Sequence, residues 1–185
     1  ISYYDTNIGT HNVVYTDIEN TDNYDHIYQS DLCGWVGQLG YNKDSIYGAN
    51  VFTAEGNETL KAASFYATGK DSQYELYVVR QFEDETSLEK MIPVASGKLG
   101  NAGYYTVDFN QGIEVDAGER YAVVLYIITP GSVHPMAIEY AADEATENVD
   151  LDDGESYISA NGSKWVSVDT VEKSNLCIKA FSDNR

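Results

Sequence analysis

Apolar and polar residues alternate with a period of two along most of this chain, and no stretch keeps the i, i+3, i+4 apolar spacing of an amphipathic helix. β-Branched and aromatic residues fill the alternating runs, as pleated strands require. The pattern predicts strands at 12–18, 47–54, 60–68, 73–82, 94–99 and 103–109. It continues with strands at 120–129, 136–140, 156–160, 164–168 and 176–181. Turn clusters such as "GNET", "GKDS", "GNAG", "DAGE" and "TPGS" separate them. Many short strands at regular spacing read as a sandwich or barrel. One helical turn is expected at "ETSLEK" (85–90). Asn161-Gly162 predicts a type I′ hairpin turn, because both residues tolerate positive φ.

Composition narrows the class. A chain of 185 residues with 43% hydrophobic content makes one packed domain, and folding at this size buries roughly 70% of the unfolded surface. The longest apolar run, "YAVVLYII" (121–128), has strand length and falls far short of the roughly 20 residues of a membrane span. Net charge is −19, with eleven Lys and Arg in all. A nucleic-acid binder needs basic side chains for the phosphates, so nucleic acid is disfavoured, and anionic membrane surfaces with it. Cations and neutral ligands such as sugars stay open. No initiating Met or basic leader is present, so an excised or mature piece is expected.

Candidate chemistry is sparse. There is no G-x-S-x-G elbow, no H-E-x-x-H and no phosphate loop. Cys33 and Cys177 lie outside any metal spacing and read either as two buried thiols or as one long-range disulfide. A Cys–His pair drawn from them and His11, His26 or His134 has no orienting motif. "SANGSKW" (159–165) lacks the Asp and the Trp spacing of a sialidase-type Asp box, which leaves Trp165 as a strand residue. Asn57 and Asn161 open glycosylation sequons that matter only in a eukaryotic secretory route. Thirty carboxylates make any single glycosidase pair uninformative.

Two ligand classes fit better. Ca²⁺ takes six to eight oxygens, and the loop "ENVDLDDGE" (147–155) offers Glu147, Asp150, Asp152 and Asp153, with Glu155 following. A second acidic run carries Asp17, Glu19, Asp22, Asp25 and Asp31. A hydrated acidic loop is the competing reading for both. Neutral glycans stack on exposed aromatic rings of a rigid β-scaffold. The segment "GWVGQLGYNKDSIYGANVFTA" (34–54) places Trp35, Tyr41 and Tyr47 in or beside turn-rich sequence, which makes them the candidate ligand-binding residues. Its glycines also read as plain turn material, and Tyr121 and Tyr126 within the apolar strand are poorer candidates.

The ordered segments "GWVGQLGY", "GANVFTAEGNETLKAASFYAT", "YELYVV", "GYYTVDF", "GIEVDAGERYAVVLYI", "MAIEY", "SYISANGSKW" and "LCIKAF" carry a resemblance. Over residues 21–183 the chain resembles the lectin-like domain that follows papain-like cysteine peptidase domains in surface proteins of anaerobic gut and rumen bacteria. The resemblance implies an all-β, jelly-roll-like antiparallel β-sandwich, similar to carbohydrate-binding modules, in which a structural Ca²⁺ is common. It also implies a secreted or cell-wall-associated protein. Residues 1–20 resemble a linker or the tail of the preceding peptidase. No catalytic residue is carried over, because the peptidase Cys and His belong to the other domain. The expected function is a non-catalytic module that binds glycan or another cell-surface polymer with a peptidase domain in cis. The alternative is a structural domain that packs against the peptidase and stabilises it without binding sugar. A stand-alone enzyme is the third, weakest reading.

Overall fold

The computed structural model describes Tyr4, residues 13–16, Ile18 and residues 20–185. Strands appear in the order β1 (His26–Tyr28), β2 (Gly37–Leu39), β3 (Ser45–Thr53), β4 (Glu58–Ala67), β5 (Ser72–Val79) and β6 (Ile92–Leu99). There follow β7 (Gly103–Val115), β8 (Arg120–Ile128), β9 (Met136–Glu139), β10 (Glu155–Ser159), β11 (Val166–Ser167), β12 (Asn175–Leu176) and β13 (Ile178–Asn184). A single 3-10 turn, Glu85–Glu89, and one helical turn, α1 (Val168–Val171), interrupt them. Every strand pair described is antiparallel.

Three sheets make two layers. A six-stranded sheet runs β11-β10-β3-β8-β5-β6. Facing it are a four-stranded sheet, β1-β13-β4-β7, and a three-stranded sheet, β12-β9-β2. The main core lies between the layers: Leu60, Phe65 and Ile178 from the four-stranded sheet meet Ile46, Leu76, Val123, Leu125 and Ile127 from the six-stranded one. Met136, Ile138 and Leu176 of the three-stranded sheet complete it. Strand β8 shows how alternation produces this. Tyr121, Val123, Leu125 and Ile127 point into the main core. Ala122 and Val124 point the other way, into a smaller cluster with Ala49, Val79, Phe82 and Leu88 on the outer face.

The last strand predicted from sequence, 176–181, breaks at Cys177, where the chain passes from the three-stranded to the four-stranded sheet. Asn50 covers the break: its Nδ2 donates to the carbonyls of Leu176 (2.9 Å) and Ile178 (2.8 Å), and its Oδ1 accepts from Ser156 Oγ at 2.7 Å. A buried Asn in the middle of β3 satisfies carbonyls that leave one ladder before joining the next.

Other expectations need correction. Val13–Thr16 of the predicted strand 12–18 are exposed and form no element, while Asn12 and Asp17 lie outside the described residues. β10 and β11 do pair as a hairpin, through Tyr157↔Ser167 and Ile158↔Val166. Their connection is a longer loop than a two-residue I′ turn: Gly162 alone of the pair has positive φ (75°), and Asn161 Oδ1 accepts from the N–H groups of Ser163 and Lys164. The Asn side chain takes over the turn's hydrogen bonding. Cys33 is exposed and Cys177 buried, and neither forms a disulfide, so the expectation of two buried thiols holds for Cys177 only. The helical turn expected at 85–90 is the 3-10 turn, capped by Asp84 accepting from the Thr86 N–H.

Candidate functional site

The pairing register fixes which side chains share the outer face of the six-stranded sheet. Ser96, Glu75, Tyr126, Tyr47 and Ser159 lie side by side across β6, β5, β8, β3 and β10. Two residues along, Lys98, Gln73, Ile128 and Ser45 form the next row. The smaller cluster covers the other end of this face, where Leu88 of the 3-10 turn packs over the sheet. The uncovered end holds a cleft of about 370 Å³ lined by Gln73, Glu75, Ser96, Lys98, Tyr126 and Ile128. Tyr126 stacks on Tyr47 with ring centroids 4.2 Å apart and an interplanar angle of 21°. Trp165 meets the Tyr47 ring edge-on at 6.2 Å. The Tyr77 hydroxyl donates to Glu75, which orients that carboxylate at the cleft. Burial raises the Tyr47 pKa, and Tyr126 and the Glu75 charge add to it, so the hydroxyl stays neutral and able to donate.

The three aromatic residues singled out by sequence go to three different places. Tyr47 stacks on Tyr126 and so backs the wall of the cleft without lining it. Tyr41 packs against the main core. Trp35 stands over the four-stranded sheet, on the other layer, beside Tyr66 (centroids 5.7 Å apart). Gly34 before it has φ +72°, and a Cβ there would sit 2.9 Å from the Tyr66 hydroxyl. Both the backbone and the close approach require glycine. Tyr126, a poorer candidate from sequence than Trp35, Tyr41 or Tyr47, lines the cleft, with Gln73, Glu75, Ser96 and Lys98, which sequence does not single out. The signal for Tyr126 was the alternation of β8 itself, which sends residues 122, 124, 126 and 128 to the face opposite the core.

A second constellation gathers around Asn175, which is 1% exposed. Its Nδ2 lies 2.8 Å from the Ser30 carbonyl, 2.9 Å from the Asp150 carbonyl, 3.1 Å from Glu139 Oε2 and 3.1 Å from Asp153 Oδ1. An amide has two hydrogens and here faces four oxygens, so two acceptors go unserved. Glu139 is fully buried, and its Oε1 takes the Cys33 N–H. Burial raises the Asp153 pKa, and the charges of Asp150 and Glu139 push the same way against the Asn175 hydrogen bond. Two carboxylates and two carbonyls around one buried point are the donor set of a hard cation. Turning the Asn175 amide over supplies a fifth oxygen, and amide orientation is an assignment that the surrounding network decides. The residues present therefore fit Ca²⁺.

The acidic loop contributes to this constellation only in part. Asp153 gives a carboxylate and Asp150 a carbonyl, while the Asp150 side chain accepts from the Asp152 N–H. Asp152 pairs with Lys173 at 2.7 Å on the surface, and Glu147 accepts from Asn148. Among the described residues no group of three His, Cys, Asp or Glu side chains is placed to hold a metal. The other oxygens of the constellation come from Glu139, Asn175 and the Ser30 carbonyl, which lie in other segments of the sequence. In the other acidic run, Asp31 is buried against Lys179 (2.7 Å), Asp25 accepts from the Asn184 N–H, and Asp17 and Glu19 lie outside the described residues.

Neither cysteine is prepared as a nucleophile. Desolvation and the Glu139 charge raise the Cys33 pKa, and burial drives the Cys177 pKa well up, the reverse of an activated thiolate. His26 is occupied by Asn184 at 3.0 Å and sits beside Glu55 and Glu58.

Solved structures share this fold. One is the clostridial cysteine protease Cwp84 after propeptide cleavage, with a TM-score of 0.72 and 24% identity. It covers 86% of this chain and 40% of its own. Another holds the cysteine protease and lectin-like domains of Cwp84, a surface layer associated protein of Clostridium difficile, with a TM-score of 0.66 and 20% identity. It covers 86% of this chain and 36% of its own. The chain thus spans well under half the length of these relatives, in which a lectin-like domain and a cysteine protease domain share one polypeptide. No curated protein matches. No helix among the described residues is long and apolar enough to cross a membrane. The model of the lectin-like domain family matches residues 27–182, and the chain belongs to that family.

Proposed function

We propose that this chain is a non-catalytic glycan-binding module that holds a cysteine peptidase domain, joined in cis, against a cell-surface polymer. The observation that carries the reading is the cleft on the outer face of the six-stranded sheet. It has Tyr126 at its wall, backed by the stacked ring of Tyr47, and Gln73, Glu75, Ser96 and Lys98 around it. A sugar ring presents C–H faces to stack on a tyrosine and hydroxyls that need donors and acceptors at its edge. The cleft supplies both kinds of contact on rigid strands. Tethering to a polymer raises the local concentration of substrate without new chemistry. A surface location is the matching proposal for the parent protein, since the solved relative is surface-layer associated.

A calcium ion belongs to the same proposal. Glu139, Asp153, Asn175 and the carbonyls of Ser30 and Asp150 would hold it, and it would supply the positive charge that the buried Glu139 carboxylate and its neighbour Asp153 lack.

A glycan array with the chain and its Tyr126→Ala and Tyr47→Ala variants, in calcium and in EDTA, tests the reading. Saturable binding lost in Tyr126→Ala is the expected result. Absence of binding to any glycan in either buffer would overturn it. The exposed Val13, Val14, Tyr15 and Ile18 (74–83% exposed) favour a second reading, in which the amino-terminal segment packs on the peptidase and the domain acts as a structural support.

A further inference from the structure

The cleft occupies one layer of the sandwich. The outer face of the other layer carries its own line of rings, and none of it is used by the cleft or by the oxygen constellation. Tyr66 and Tyr104 are register partners on β4 and β7, with centroids 5.0 Å apart. Trp35 extends the line on the far side of Tyr66 at 5.7 Å. The two outer rings are open, Trp35 being 37% and Tyr104 44% exposed. Next along the strands are Ser64 and its register partner Thr106, and beside Ser64 on β13 is Lys179. At the far end Tyr24 lies on Phe181 (4.9 Å) and donates to Asp108, the register partner of Ala62. From residue 62 to residue 66 is four residues, roughly 13 Å of strand. Aromatic rings therefore stand at both ends of a strip floored by small and hydroxyl-bearing residues.

We propose that this strip is a second saccharide-binding site, one that takes a neutral oligosaccharide through stacking on Trp35 and Tyr104. It rests on the reading of the chain as a glycan-binding module and adds a site on the opposite face.

Three observations select this occupant. The rings are preset: Gly34 lets the chain close on Tyr66, Trp35 packs beside the Tyr66 ring, and the Val36 N–H donates to the Ile138 carbonyl at 3.0 Å. Ordering costs on binding are correspondingly small. Polar groups interleave with the rings, since the Tyr104 hydroxyl donates to Ser64 Oγ at 2.5 Å and the Tyr24 hydroxyl to Asp108. Such a face suits a hydroxylated ring better than an aliphatic protein surface. Charge excludes an anionic polymer: Lys179, the cation of the strip, is already paired with Asp31 at 2.7 Å, and the whole chain carries −19. Two sites on opposite faces would let one module bridge two strands of a polymer, and linked binding multiplies apparent affinity.

The two tryptophans of the chain report on different faces, Trp35 at the strip and Trp165 against Tyr47, the ring that backs Tyr126 of the cleft. The chain labelled with 5-fluorotryptophan gives one ¹⁹F resonance for each, assigned with Trp35→Phe and Trp165→Phe. It is titrated with cellohexaose, mannohexaose and chitohexaose. The expected result is a saturable shift of the Trp35 resonance that persists in Tyr126→Ala and weakens about ten-fold in Tyr104→Ala. A shift of Trp165 alone would leave the cleft as the one sugar site and overturn this proposal. Silence of both resonances would overturn it together with the glycan reading. A Trp35 shift produced only by raising the protein concentration, or only by adding a peptidase domain, would assign the strip to a protein partner and overturn it as well.

Discussion

Asn175 Nδ2 lies 3.1 Å from Glu139 Oε2, and both residues are buried to within 1%. An amide next to a buried carboxylate is an ordinary pair. Here the same nitrogen also faces Asp153 and two carbonyls, so negative charge outruns the donors available to it. Millimolar calcium is expected to raise the melting temperature. At a hundred times the dissociation constant, binding adds about 2.7 kcal/mol, or about 5–10 °C for a chain of this size. Asp153→Asn should lose most of that gain, and Asp152→Asn, whose partner is Lys173, should keep it. Differential scanning fluorimetry in calcium and in EDTA makes the comparison.

The metal should also reach Trp35. Glu139 holds the Cys33 N–H with one oxygen and the constellation with the other, and the Ser30 carbonyl belongs to the same loop. Ordering that loop sets where Trp35 stands over Tyr66. Adding calcium to the EDTA-treated Trp165→Phe chain, in which Trp35 is the one tryptophan, is expected to change its emission. The Glu139→Gln chain should show a smaller change at the same calcium concentration.

Much of the sandwich was legible because β-strands announce themselves by period two, and most predicted strands overlap strands of the structure. The clearest failures have physical causes. β1 and β2 are three residues each, too short to show a period. The break at Cys177 depends on Asn50, more than a hundred residues away, filling the gap between two sheets. The oxygen constellation was half visible: the acidic loop advertised Asp150 and Asp153, but two of its oxygens are main-chain carbonyls, which carry no sequence signal. Glu139 and Asn175 sit singly in apolar strands and join the loop only through the β9–β12 pairing, where they are register partners. Trp35, Tyr41 and Tyr47 looked equivalent in sequence because position in a turn-rich segment says nothing about which layer a ring faces.

Asn50 gives a stability test of that sheet crossing. Asn50→Ala strands the carbonyls of Leu176 and Ile178 and the Ser156 hydroxyl in a dry core. Each buried polar group left without a partner costs about 1–3 kcal/mol, so a loss of about 3 kcal/mol or more is expected from urea unfolding. A loss under about 1 kcal/mol would mean that water reaches the break and that Asn50 is not needed there.

Glu58 contributes to the acid limb of stability. It is fully buried, and burial alone would raise its pKa. Hydrogen bonds from Ser182, from Tyr28 (2.7 and 2.8 Å to its two oxygens) and from the Gly56 N–H outweigh that and lower it. The folded pKa then lies below the unfolded value near 4.3. This contribution is fully present above the unfolded pKa and is lost as pH falls through the folded one. The melting temperature is therefore expected to fall more steeply below about pH 4 in the wild-type chain than in Glu58→Gln, which has no carboxylate to protonate there.

Tyr41 and Tyr126 separate architecture from recognition. Tyr41 packs on the main core, so Tyr41→Ala opens a cavity and is expected to cost about 2–4 kcal/mol of stability. Tyr126 faces outward and lines the cleft, stacked on Tyr47 alone among the described rings. Its replacement by Ala forfeits one ring pair, about 0.5–1.5 kcal/mol beyond area, and should leave most of the stability in place. For glycan binding the order reverses: Tyr126→Ala abolishes retention by the polymer at the cleft, while Tyr41→Ala, measured below its melting temperature, retains it. Affinity electrophoresis run beside thermal denaturation reads both effects on the same samples. If Tyr41→Ala stays stable and loses binding, the ring acts as a ligand contact and its packing against the core is incidental.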